Sequence, residues 1–242
     1  MTRTALLVGL LIVAAPAAHA QGGGGPLAHL PLTMYVPTGT PRGGVVFLSG
    51  DGGWRSFDQA NADTLCAEGY VVLGVDALTA FYHEVTGDSL AAVTRFLVSY
   101  LRGRVPNGAP VYLAGYSFGA ELAADALPRG IGADGLYLLG PGRRGIRAVT
   151  LGGFLFSQPR GSTSFDVAER LNAERCTPVA FVTGADDQAG EGALVFPLVR
   201  QPTAQFLVAG AGHHYHGGDQ RYTRVMREAL AWLAAHRAAC SR

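Results

Sequence analysis

Ser117 lies in Gly115-Tyr116-Ser117-Phe118-Gly119, a G-x-S-x-G pentapeptide between an apolar run at 110–114 and a helix-like stretch at 118–127. A serine hydroxyl is a weak nucleophile by itself. A sharp strand-to-helix turn lifts its Oγ clear of the sheet and sets it at a helix N-terminus, where free amides favour developing negative charge. Both glycines fit this reading, because so tight a bend leaves no room for a Cβ. The plainer alternative is a serine that merely caps a helix in a noncatalytic protein.

A nucleophilic serine needs a base, and the base needs a carboxylate to orient it. Asp186 and Asp187 follow Gly184-Ala185 after the apolar run 178–183, and His213 and His214 follow Gly210-Ala211-Gly212 after the run 204–208. Serine, acid, histidine is the chain order used by serine hydrolases built on open parallel sheets. Asp187 is the preferred acid with Asp186 as the alternative, and His213 is the preferred base with His214 as the alternative. Ser49-Gly50-Asp51-Gly52-Gly53-Trp54 follows the first parallel strand. A loop there supplies one backbone N–H of an oxyanion hole, and the residue after the nucleophile supplies the other. The expected pair is the N–H of Asp51 and of Phe118. Trp54, Phe81, Tyr82, Tyr116 and His216 are expected to line the substrate pocket.

Two other chemistries compete for the same residues. His213, His214, His216 and Asp219 could converge on a divalent metal. No second ligand cluster lies at a strand end, so no metal is expected. A glycine-rich loop can also cradle phosphate, but Gly-Lys-Ser/Thr and G-x-G-x-x-G are both absent and no nucleotide cofactor is expected.

The elements that must hold these groups follow from patterning. Strands at 44–48, 70–75, 110–114, 135–139, 178–183 and 204–208 alternate with helices at 56–68, 88–101, 118–127, 164–171, 191–198 and 220–239. Val45-Val46-Phe47-Leu48 and Val111-Tyr112-Leu113-Ala114 are apolar on both faces, as strands covered on both sides must be. The fold class is α/β, an open, mostly parallel, doubly wound sheet with helices on both faces. Residues 30–36 read as an antiparallel edge strand, where Pro31 is tolerated. Reactive groups then belong beyond the carboxyl ends of the strands.

The N-terminus reads as an export signal. Arg3 precedes an apolar stretch at 5–15, and Ala18-His19-Ala20 offers a small-residue cleavage site. A flexible glycine-rich leader at 21–27 and one domain at 28–242 follow, placing the mature chain in the periplasm or outside the cell. Removing residues 1–20 takes one arginine from 19 basic residues and leaves 18 against 18 acidic ones. That neutral balance excludes the basic excess of a nucleic-acid binder, and any membrane contact is transient. Cys66, Cys176 and Cys240 allow one intramolecular disulfide, with Cys176–Cys240 preferred at the floor of the sheet and Cys66 as competitor.

The segments Ser49 to Trp54, Gly69 to Leu78, Ala114 to Glu121 and Gly212-His213-His214 resemble the VirJ/AcvB family of bacterial virulence-associated α/β hydrolases. The resemblance implies an α/β-hydrolase fold without a large lid domain, with the family's serine on Ser117 and its Gly-Asp-Gly-Gly-Trp loop on Gly50 to Trp54. It also implies an exported protein associated with type IV secretion. The AcvB branch is linked to hydrolysis of lysyl-phosphatidylglycerol in the periplasm. An aminoacyl-phospholipid is therefore one expected substrate, with Asp51 and Glu84 as carboxylates for its ammonium, and a simpler carboxylic ester is another. The aromatic segment is shortened here to Ala80-Phe81-Tyr82, and 148–156 departs from the family pattern. Phe154-Leu155-Phe156 could form a short flap. The reading from a different class is a noncatalytic accessory protein of a secretion or virulence system.

Overall fold

Residues with no polar side to offer water form the middle of the sheet. Val45, Val46, Phe47 and Leu48 are essentially fully buried, and so are Val111, Tyr112, Leu113 and Ala114. The computed structural model describes residues 30–81, 85–147, 163–188, 190–215 and 220–237. The expected export signal at 1–20, the leader at 21–27, Tyr82, Glu84, the flap at 154–156, His216, Asp219 and Cys240 lie outside the described residues.

In chain order the elements are β1 (Leu32–Tyr35), β2 (Gly43–Leu48), α1 (Ser56–Ala67), β3 (Tyr70–Val75), α2 (Ala77–Ala80), α3 (Gly87–Arg102), β4 (Val111–Tyr116), α4 (Phe118–Ala126), β5 (Leu136–Leu139), β6 (Arg144–Ile146), β7 (Ser164–Asp166), α5 (Val167–Asn172), β8 (Val179–Gly184), α6 (Gly192–Val195), β9 (Thr203–Val208) and α7 (Gln220–His236). Among the described residues seven strands join in the order β1-β3-β2-β4-β5-β8-β9. β1 runs antiparallel on β3 at one edge, and every other pairing in this sheet is parallel. Pro31 stays outside the ladder, its carbonyl accepting from the Asp76 N–H at 3.0 Å.

Alternation along each strand divides the core in two. Val46, Leu48, Leu73 and Leu113 face α3, α4 and α5 through Leu97, Leu122 and Leu171. Val45, Phe47, Val72 and Tyr112 face α1 and α7 through Leu65, Met226 and Leu233. This is the α/β-hydrolase fold, and it leaves the β4–α4, β8–α6 and β9–α7 loops at one end of the sheet.

One expected helix starts later than its pattern suggests. Ser164–Asp166 pairs antiparallel with Arg144–Ile146 in a separate two-stranded sheet, and the Asp166 carboxylate then accepts from the Glu169 N–H at 2.9 Å to cap α5. A cap fixes where a helix begins, so the three residues before it were free to pair elsewhere. Cys176 is disulfide-bonded and Cys66 is a free thiol, which removes Cys66 from the pairing.

Candidate active site

Ser117 is the one non-glycine residue with positive φ among the described residues, at φ 50° and ψ −116°. Such a conformation costs about 1–3 kcal/mol and persists only where the surroundings enforce it. Here the first turn of α4 is pressed against the end of β2. A Cβ on Gly119 would overlap the Leu48 and Ser49 carbonyls, and one on Gly115 would overlap the Gly119 backbone. Ser117 stands at the N-cap of α4, yet its side chain makes no capping hydrogen bond. The hydroxyl faces a histidine instead.

His213 Nε2 lies 3.0 Å from Ser117 Oγ, and its Nδ1 lies 3.0 Å from Asp187 Oδ2. The Asp187 side chain is fully buried, and its Oδ1 also accepts from the Gly190 N–H at 2.7 Å. An ionised carboxylate only accepts, so Nδ1 carries the hydrogen and Nε2 presents a lone pair to the serine hydroxyl. Gly190 matters to this pair because a Cβ there would overlap the Asp187 carboxylate. The sequence singled out the acid and the base but not this glycine.

Asp186 and His214 take other positions. Asp186 is exposed and its N–H donates to the Ala211 carbonyl at 2.9 Å, tying the acid loop to the histidine loop. His214 is exposed, with Nδ1 2.8 Å from the Tyr116 hydroxyl. Among the described residues no group of three or more His, Cys, Asp or Glu could hold a metal ion.

The loop after β2 is fastened from below. Ser49 is buried, and its Oγ accepts from the Ala77 N–H at 2.9 Å. Asp58 in α1 accepts from the Arg55 N–H at 2.9 Å, and burial pushes its carboxyl up to about 6. These ties keep Gly50 against the Tyr116 ring. The Phe118 N–H belongs to the first turn of α4, where no carbonyl lies four residues earlier in the helix to receive it. The Asp51 side chain is exposed at this loop.

Three expected pocket residues make packing contacts. The Trp54 indole fills the space left by Gly74 of β3, with Tyr35 at 6.4 Å and the edge of Phe47 at 6.0 Å between ring centroids. A strand glycine leaves a slot on a buried face, and the large ring closes it. Phe81 is 2% exposed within the core cluster on the α3 side. Tyr116 is 7% exposed, and its ring lies 4.5 Å from Phe57 and 5.3 Å from His213. It supports the histidine from beneath.

Sequence reading also passed over Glu121, one turn into α4. Its Oε1 accepts from the Gly142 N–H at 3.2 Å, and burial, helped by Asp51 and Glu191, pushes its carboxyl up to about 8. Asp51 and Glu191 therefore lie close enough to Glu121 for their charge to be felt there. A polar residue in an apolar helix was the available signal.

The sequence model of a family described as bacterial virulence protein (VirJ) matches residues 44–234. A search of curated proteins gives no match. Among solved structures, TT1662 from Thermus thermophilus superposes with a TM-score of 0.63 at 18% identity over 93% of this chain and 99% of that one. Est1E from Butyrivibrio proteoclasticus, also solved with ferulic acid bound, gives 0.61 at 16% identity over 85% and 96%. Thermogutta terrifontis esterase 2, solved phosphorylated by paraoxon, gives 0.57 at 17% identity over 84% and 88%. At these identities the likeness is one of fold.

Proposed function

The chain belongs to the VirJ family of bacterial virulence proteins, and from that membership and the hydrogen-bonded chain Ser117, His213, Asp187 we propose that it is a serine hydrolase cleaving esters through an acyl-enzyme. The single observation that carries this reading is the pair of 3.0 Å contacts on the two sides of the His213 ring. A helix-capping serine has no use for them.

In the first half-reaction His213 Nε2 takes the proton from Ser117 Oγ as the oxygen attacks the acyl carbonyl. Asp187, fixed by the Gly190 N–H, holds the imidazole in the required tautomer and steadies the imidazolium that forms. The oxyanion of the tetrahedral intermediate meets the N–H groups of Phe118 and Asp51. Protonated His213 then passes its proton to the departing alcohol. Water, deprotonated by the same histidine, attacks the acyl-enzyme and restores the serine. Relatives in fold point the same way, since Thermogutta terrifontis esterase 2 is phosphorylated by paraoxon.

For the substrate, an aminoacyl ester of a phospholipid headgroup is the reading we favour. The exposed Asp51, on the loop that follows β2 and offers an oxyanion N–H, is the carboxylate we assign to an ammonium on the acyl group. Export to the periplasm, from the signal at 1–20, would bring such a headgroup within reach. A simple carboxylic ester is the second reading, favoured by the described ester hydrolases of the same fold.

The test is hydrolysis by the purified mature protein of lysyl-phosphatidylglycerol and phosphatidylglycerol vesicles, beside an uncharged chromogenic acetate ester. Release of lysine, absent in Ser117→Ala, supports the aminoacyl reading. Turnover of the acetate ester alone supports a general esterase. No turnover of any of them, with a correctly folded protein, returns the weight to a noncatalytic accessory role.

A further inference from the structure

Tyr116 immediately precedes the nucleophile, yet its side chain reaches the loop that carries the base. Its hydroxyl oxygen lies 3.2 Å from the His213 carbonyl oxygen and 2.8 Å from His214 Nδ1. Burial raises the phenol well above its ordinary range, so the hydroxyl keeps its proton. A phenol has one proton to give and lone pairs to receive with, whereas a carbonyl can only receive. The arrangement that satisfies all three groups has the tyrosine O–H donating to the His213 carbonyl. His214 Nδ1–H then donates to the tyrosine oxygen. Bonds in such a chain polarise one another.

The same ring bounds His213 from below, tilted 36° at 5.3 Å between centroids, and is itself held by Phe57 at 4.5 Å. Two of the histidine loop's other ties among the described residues are the Asp186 N–H to the Ala211 carbonyl at 2.9 Å and the Tyr215 hydroxyl to the Val182 carbonyl at 2.8 Å. Neither touches His213. Tyr116 therefore joins the main chain of the base to a backbone position one residue from the nucleophile.

We infer that Tyr116 and His214 are positioning residues that set the separation of Ser117 and His213, with His214 acting as an Nδ1–H donor to Tyr116 and not as a spare base. The inference rests on the catalytic reading of Ser117 and His213. A displacement of about an ångström between such groups is enough to slow attack strongly while leaving substrate binding alone.

The test compares the wild type with Tyr116→Phe, His214→Ala, His214→Asn and the double variant Tyr116→Phe/His214→Ala. Fluorophosphonate labelling rates, steady-state kinetics on a chromogenic ester and melting temperatures are measured for each. Tyr116→Phe and His214→Ala should each lower kcat and the labelling rate about tenfold with KM changed less than about twofold. His214→Asn places an amide donor where Nδ1 stood, and should recover most of the loss. The double variant should be no slower than the worse single one, because both remove the same link. Nitrogen-15 spectra of the wild type should show His214 protonated on Nδ1. Unchanged single variants, multiplicative losses in the double variant or a neutral His214 protonated only on Nε2 would each overturn the inference. A labelled wild type with unaffected variants overturns only the relay, while a wild type that takes no label overturns the catalytic reading with it.

Discussion

Asp187 works only if its carboxylate is held still, and the smallest residue in its neighbourhood decides that. Gly190 donates its N–H at 2.7 Å and leaves the room that a Cβ would take from the carboxylate. Gly190→Ala should therefore lower kcat by about a hundredfold, in the range seen when an orienting group is misplaced, with a melting temperature within a few degrees of wild type. Kinetics and thermal melts on one preparation check this, and unchanged kcat would contradict it. At this scale the sequence disclosed residue types and order. G-x-S-x-G before a helix, two adjacent acids and two adjacent histidines were legible because each ends a strand. Asp187 and His213 were preferred over Asp186 and His214, but the alternatives stayed open because neighbouring residues differ by a backbone rotation that only the folded loop fixes. Phe81 is buried for a related reason: an aromatic beside a reactive loop packs inward as readily as it lines a pocket.

At the scale of elements, α4 carries more than the nucleophile. Its Glu121 carboxyl titrates near 8 in the folded chain against 4.5 ordinarily. Between those values the native state retains a proton that the unfolded chain has lost. Stability is therefore full below about 4.5 and declines as the pH rises toward about 8, by an amount on the order of a few kcal/mol. Glu121→Gln keeps an acceptor for Gly142 and removes the titration. Its melting temperature should match wild type in mild acid and exceed it above pH 8, and parallel curves across that range would contradict the account. Near the other end of α4, Asp125 is fully buried against Arg147 at 2.7 Å and Arg170 at 3.0 Å, with Arg129 at 3.7 Å. It joins α4 to α5 and to the chain just beyond β6. Asp125→Ala leaves guanidiniums without their common partner and should cost about 3–5 kcal/mol in denaturant unfolding. Neither effect was readable beforehand. Helix patterning places a residue on a face, but the β6–β7 ladder beside α4 comes from pairing between residues 18 to 22 apart, which local pattern does not encode.

Across the whole molecule the chemistry sits at one end of the parallel sheet and the disulfide at the other. Cys176 precedes β8, whereas Asp187 follows it. Cys176→Ser should therefore lower unfolding free energy by about 2–4 kcal/mol while leaving the labelling rate of the folded protein unchanged. A slowed reaction at full folding would show that the two ends are coupled. The parallel sheet was the most legible feature of all, because strands buried on both faces leave continuous apolar runs that little else produces. Export and membrane contact belong to this scale too. Among the described residues no helix is long and apolar enough to cross a membrane, and the chain carries 19 basic against 18 acidic residues. The central claim, an activated Ser117, is tested most directly by the intact mass of the purified protein after fluorophosphonate treatment, beside Ser117→Ala. The account predicts one adduct in the wild type and none in the variant. No adduct under conditions that label a control serine hydrolase, or an adduct that survives the substitution, would contradict it.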